Sequence, residues 1–182
     1  MSDAVAALRR GEPVVLPTDT VYGLCCAAAT REPTERLYAL KRRDLAQPSA
    51  LLAASVDDLL AAVPELDRAQ ILAGQYTLVL RNPAQRFPWI CGTTPESIGV
   101  RVPDLPPAAA EVVRALGVVV ATSANLHGEP DPRSVDDLAP ELRALAVVDV
   151  GELPGTPSTV IDFTGDEPRV LRQGAGRFSP AS

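Results

Sequence analysis

Two stretches of this chain place reactive or hydrogen-bonding side chains where a buried strand ends. In the first, the apolar run Val14-Val15-Leu16 stops at Pro17, which cannot donate to a central sheet ladder. Thr18, Asp19, Thr20 and Tyr22 then bring two hydroxyls, a carboxylate and a phenol before Gly23 and Leu24. Polar groups this dense beside a core strand need partners, since burial without one costs roughly 1–3 kcal/mol per group. They can satisfy one another in an ordinary turn, or they can line a polar pocket. The second stretch, Thr122-Ser123-Ala124-Asn125, follows Val118-Val119-Val120-Ala121 in the same manner.

Other such groups are scattered along the chain: Ser97, Arg101, Ser158, Arg172, and the cluster Lys41-Arg42-Arg43. Lys41 is the single lysine beside 16 arginines, which fits a site that calls for a compact ammonium, while three cations at a helix end equally fit a complement to its dipole. Cations and hydroxyls without an evident nucleophile fit an anionic ligand, most naturally a polyphosphate bound without a glycine-rich loop. No G-x-x-x-x-G-K-[ST] or G-x-G-x-x-G segment opens a helix, and no G-x-S-x-G elbow is present. His127 is the only histidine and reads as a loop residue; Cys25, Cys26 and Cys91 form neither a C-x-x-C pair nor a disulfide framework. Asp57-Asp58 and Asp136-Asp137 are explained as acids at helix amino termini, so no metal-ligating residues are assigned.

The elements that must position these groups follow from pattern and punctuation. Helices are expected over 2–10 and from Pro33 to the Lys41 cluster, then after the Ser55 cap, over 65–73, over 107–116, and briefly after Ser134. Strands are expected at 14–16, 49–54, 76–80, 98–102, 118–121, 147–150, 159–163 and 169–171, with 24–29 either strand or packed loop. Some strands follow one another with no helix between, which favours a mixed sheet with helices on its faces. Residues 1–182 read as one domain, with Gly174 to Ser182 a loose tail.

Composition limits the partners. The net charge of −6 argues against a surface that attracts nucleic acid as a whole, though one basic cleft is compatible with it. No run reaches the roughly 18 apolar residues of a membrane span, and the start Met1-Ser2-Asp3 lacks the features of a secretory leader. A cytoplasmic soluble domain is the expectation.

Taken together, Pro17–Leu24, Lys41-Arg42-Arg43 with Gln47-Pro48, Ser97–Pro103, Thr122–Asn125, Ser158–Asp162 and Val170–Gly174 resemble, in order, the motifs of the YrdC family of threonylcarbamoyl-AMP synthases. The resemblance implies an α+β fold of YrdC/RibB type, a twisted mixed sheet flanked by helices around a deep basic cavity. It implies a nucleotidyltransferase reaction: L-threonine, bicarbonate (or carbon dioxide) and ATP give threonylcarbamoyl-AMP and pyrophosphate. Partner proteins would transfer the threonylcarbamoyl group to tRNA. By the same resemblance Thr20 and Arg101 would hold threonine. Lys41, Arg43, Gln47, Ser97, Ser123, Asn125 and Arg172 would hold ATP, with Lys41 and Arg43 catalytic. Magnesium would arrive with ATP rather than at a dedicated protein site. The pattern departs at Leu52, where many relatives carry a histidine, at Asp44 for a proline, and at Ala73-Gly74-Gln75-Tyr76-Thr77 for P-G-P-x-T. Two other readings are a non-catalytic RNA-binding module, which a low aromatic content of 4% disfavours, and a related carbamoyl transferase with another acceptor.

Overall fold

A computed structural model describes residues 2–179. In chain order the strands are β1 (Val14–Pro17), β2 (Tyr22–Ala27), β3 (Ala50–Ala53), β4 (Tyr76–Arg81), β5 (Ser97–Arg101), β6 (Val118–Ser123), β7 (Ala146–Val147), β8 (Thr159–Asp162) and β9 (Arg169–Arg172). They form one twisted mixed sheet in the order β7-β1-β2-β6-β3-β5-β4-β8-β9. Antiparallel pairs such as β2–β6 and β4–β5 alternate with the parallel pairs β1–β7, β3–β5 and β4–β8. The helices are α1 (Asp3–Arg9), α2 (Arg31–Lys41), α3 (Val56–Ala62), α4 (Pro107–Arg114) and α5 (Pro140–Arg143).

Side chains alternate across the strands, so the sheet has two unlike faces. One face is apolar along its length: Leu24, Leu51, Leu78, Val100, Val120 and Ile161 pack beneath Leu37 and Tyr38 of α2 and Leu59 of α3. The other face divides. Near β1 it is closed by α1 and α4, whose Val5, Leu8, Ala109 and Val113 cover Leu16, Cys25, Leu52 and Val119. Beyond that plug the same face runs out into Gly23, Ala50, Gly99 and Ala121, which have almost no side chain, and a cavity opens above them.

Local chemistry sets the boundaries. The Ser2 hydroxyl accepts from Val5 N to start α1, and the Ser55 hydroxyl accepts from Asp58 N (3.1 Å) to start α3. The helix expected over 65–73 does not form. Asp67 caps only a three-residue turn at Arg68–Gln70, and Ile71–Ala73 runs out toward β4, where Gly74 N donates to Val102 O. Ile71 and Leu72 still pack on the core, so their apolar spacing reflects burial without helicity. The strand expected at 147–150 shortens to β7 because Asp149 turns the chain, its carboxylate accepting from Gly151 N and from the Tyr22 phenol. Nor is the tail loose over its described part. Gly174 N donates to Thr159 Oγ1 (2.9 Å), the Tyr76 phenol donates to Arg177 O, and Phe178 meets Phe163 edge-on. Residues 180–182 lie outside the described residues.

Candidate functional site

The cavity above the bare strands has a volume of about 310 Å³, at the low end of the roughly 300–1,000 Å³ usual for small-molecule sites. Its walls come from segments far apart in sequence: Thr18, Arg43, Arg101, Thr122, Ser123 and Arg172 all line it, along with Thr77, Asp131 and Ser158. Arg43, Arg101 and Arg172, far apart in the sequence, therefore share one hollow.

Arg101 stands at the end of β5 with its own counter-ion. Its Nη2 donates to Asp19 Oδ1 (2.5 Å) and to Thr20 Oγ1 (2.7 Å), and both side chains of the ion pair are about nine-tenths buried. Burial pulls the arginine's pKa down and Asp19 pulls it back. The second Asp19 oxygen accepts from Asp104 N (3.1 Å), which fixes the carboxylate. Thr18 closes the turn: its hydroxyl donates to Val21 O (2.7 Å) and lies 3.0 Å from that of Thr20. The opening stretch is thus a self-satisfied turn that also braces the cavity-lining Arg101. Thr20 is wholly buried and reaches the cavity only through Arg101.

Arg43 is delivered differently. After α2, Arg42 takes a left-handed conformation (φ 54°), a common way for a helix to end, at some cost for a residue other than glycine. That turn sends Arg43 back over the Tyr38 ring, 5.3 Å from its centroid. Its guanidinium donates to Thr122 Oγ1 (2.8 Å) and to Pro48 O, both neutral. Arg172 is held by neutral acceptors too, with Nη2 2.9 Å from Ser158 O. The Nε–H groups of Arg43 and Arg101 are buried and have no acceptor. The indole N–H of Trp89, outside this cavity, is a third buried donor without an acceptor, so these unpaired groups do not by themselves mark a ligand.

Lys41 does not line the cavity. It is 3% exposed and lies behind the wall, where Nζ donates to Ser123 O (2.5 Å), Asn125 O (2.7 Å) and Asn125 Oδ1 (2.9 Å). Burial and, next, the Arg43 charge lower its pKa to about 8, while Asp131 acts against them. The lysine is therefore neither a dipole complement at a solvated helix end nor a direct wall group. It fixes the loop after β6, where the Ser123 hydroxyl in turn donates to Asn125 Oδ1 (2.7 Å).

Asn125 is likewise absent from the lining, its carboxamide being spent on Lys41, Ser123 and Glu129 O. Gln47 contributes a main-chain acceptor for the Tyr38 phenol (2.6 Å) and lies off the cavity, while the adjacent Pro48 and Ser49 line it. Ser97 shares the face of Gly99 and Arg101 but sits at the far end of β5, its hydroxyl turned to Thr94. Leu52 pairs with Arg101 in register and borders the hollow. Sequence reasoning did not single out Asp19 as the partner of Arg101, nor Asp131 at all. The bracketing of Asp131 between Pro130 and Pro132, which stiffens the backbone on both sides, was the available signal.

The Sua5/YciO/YrdC family model, described as Telomere recombination, matches residues 6–174. A protein of Chromohalobacter salexigens named threonylcarbamoyl-AMP synthase is 34% identical over 175 residues, 92% of this chain and 94% of that protein. One of Bacillus subtilis with the same name is 33% identical over 96% of this chain and 53% of its own length. The crystal structure of Pyrococcus abyssi Sua5 complexed with L-threonine superposes with a TM-score of 0.83 at 30% identity, covering 94% of this chain and 53% of that one. The chain thus spans about half the length of the Bacillus and Pyrococcus proteins. Among the described residues, no helix is long and apolar enough to cross a membrane.

Proposed function

The chain belongs to the Sua5/YciO/YrdC family, and from that premise we propose that it is an L-threonylcarbamoyladenylate synthase. It joins L-threonine, bicarbonate or carbon dioxide, and ATP into threonylcarbamoyl-AMP, releasing pyrophosphate. The observation that carries this reading is the convergence of Arg43, Arg101 and Arg172, from distant parts of the sequence, on the walls of one cavity. Two anionic substrates would meet those guanidinium groups there.

In this reading the Arg101 end takes the carboxylate of threonine, with Thr20 and Asp19 holding the guanidinium in place. The Arg43, Ser123 and Arg172 end takes the triphosphate, and Lys41 and Asn125 support its wall from behind. The threonine nitrogen adds carbon dioxide to give a carbamate. A carbamate oxygen then attacks the α-phosphorus while the bond to pyrophosphate breaks. Because the carbamate is the nucleophile, the protein need supply none; its work is to position two anions and stabilise charge growing on phosphate oxygens. This is nucleotidyl transfer, carried out in the cytoplasm, and its product feeds proteins that modify tRNA. Magnesium comes in with ATP and screens the phosphate charge.

The test is pyrophosphate release from ATP by the purified protein. Release that requires both threonine and bicarbonate is expected; release indifferent to either co-substrate would refute the synthase reading.

A further inference from the structure

The cavity is less positive than its arginines suggest. Asp19 already neutralises Arg101 through a buried ion pair. The cations left without a carboxylate partner are Arg43 and Arg172 in the wall, and Lys41 behind it. Against them stands Asp131, the only carboxylate among the described residues that line the hollow. A triphosphate carries about four negative charges at neutral pH, so a bare carboxylate beside it is repulsive, and more so in a partly dry cavity.

The loop holds that carboxylate there all the same. Pro130 and Pro132 restrict the backbone on either side. Pro132 O accepts from Tyr22 N (2.9 Å) and Arg133 O accepts from Leu153 N (2.7 Å), so the segment is tied to β2 and to the loop before β8. Arg133 N and Ser134 N both donate to Asp137, which fixes the next turn. The Asp131 side chain, by contrast, enters no hydrogen bond or ion pair of its own, although its charge acts on Lys41 across the wall. A pinned backbone that presents an unpartnered carboxylate to a phosphate site calls for a cation between the two. Magnesium meets that requirement: it is characteristically held by one or two carboxylates together with substrate phosphates, keeping several waters.

We infer that Asp131 is the protein's ligand for the divalent cation that accompanies ATP, directly or through one of the cation's waters. The inference rests on the cavity being the nucleotide site. It replaces the expectation that magnesium has no protein partner: the group is a single carboxylate, not a cluster, and becomes a metal site only when phosphate oxygens complete it.

Calorimetric titration of ATP into the wild-type protein and into Asp131→Asn, without threonine or bicarbonate, separates the possibilities. With magnesium chloride the variant should bind about tenfold to a hundredfold more weakly. With EDTA in place of magnesium it should bind as well as the wild type or better, because a repulsive charge has gone. Manganese substituted for magnesium gives a second reading: the electron paramagnetic resonance spectrum of the manganese–ATP complex should differ between the two proteins. Equal losses with and without magnesium would mean that Asp131 touches the nucleotide itself, and equal affinities in both conditions that it is a bystander. Either result overturns the inference while leaving the synthase reading intact. A wild-type protein that binds ATP under neither condition would overturn both.

Discussion

The two ends of the cavity carry the same kind of cation in opposite states. Arg101 arrives with its counter-ion, clamped by Asp19 and Thr20 and nearly closed off from water. Arg43 arrives with none; it rests on an aromatic ring and donates to a hydroxyl and a carbonyl. An arginine held in a buried ion pair belongs as much to the fold as to the ligand, because removing either partner strands the other. Losing an arginine on neutral acceptors strands no charge, so it costs the fold less than losing one of a buried ion pair. One end is preorganised by charge pairing, and the other holds a charge with no carboxylate partner.

The largest test of that contrast is Arg101→Ala. It should destabilise the protein by roughly 3–5 kcal/mol by leaving Asp19 buried without its partner, as read by urea denaturation. Much of that loss should return in the double variant Arg101→Ala with Asp19→Ala; a single variant as stable as wild type would abolish the distinction between the ends. Next comes Arg43→Ala. Its stability should fall by about 1–2 kcal/mol, less than for Arg101→Ala, while ATP binding measured by calorimetry weakens by roughly 1.5–3 kcal/mol, the worth of a charge-assisted contact.

Thr20→Val is smaller. It removes one acceptor from Arg101 and should cost about 1 kcal/mol of stability, with threonine affinity falling in parallel and ATP affinity unchanged. A drop in ATP affinity instead would show that the ends are not independent.

The smallest effect at neutral pH concerns Lys41. The folded protein releases this proton near pH 8, whereas the unfolded chain keeps it to about the ordinary value of 10.5. Between those values the unfolded state holds more protons, so raising the pH stabilises the fold through this group. Comparing wild type with Lys41→Met by thermal melts from pH 7 to 10.5 should show that rise in the wild type alone.

Much of this arrangement was legible in the sequence, and the parts that were not have a common cause. Strand ends bearing hydroxyls announce themselves locally, because an apolar run that stops at Thr18 or Thr122 needs no distant information to interpret. The sharing of one hollow by Arg43, Arg101 and Arg172 was inferable once the motifs were taken in order. What local pattern could not supply was the pairing of Asp19 with Arg101, which depends on where β5 lies relative to β1 across a sheet ordered unlike the sequence. The choice between a dipole complement and a specifically placed ammonium at Lys41 is closed to the sequence for the same reason. On a helical wheel the lysine is a solvated terminal cation, and only the return of β6 beside α2 gives it three oxygens to bind. Residues 65–73 misled because apolar spacing reports burial, and Ile71 and Leu72 are buried without being helical.

The near absence of side chains at Gly23, Ala50, Gly99 and Ala121 has a further consequence. The hollow's floor is created by subtraction: its depth there is the thickness of side chains that these strands omit. Such a chamber can be narrowed one methyl group at a time from beneath. A graded series of alanine replacements by larger aliphatics on β3 and β6 would lift the floor toward the substrates while the guanidinium walls stay where they are, turning capacity into a quantity that single atoms adjust.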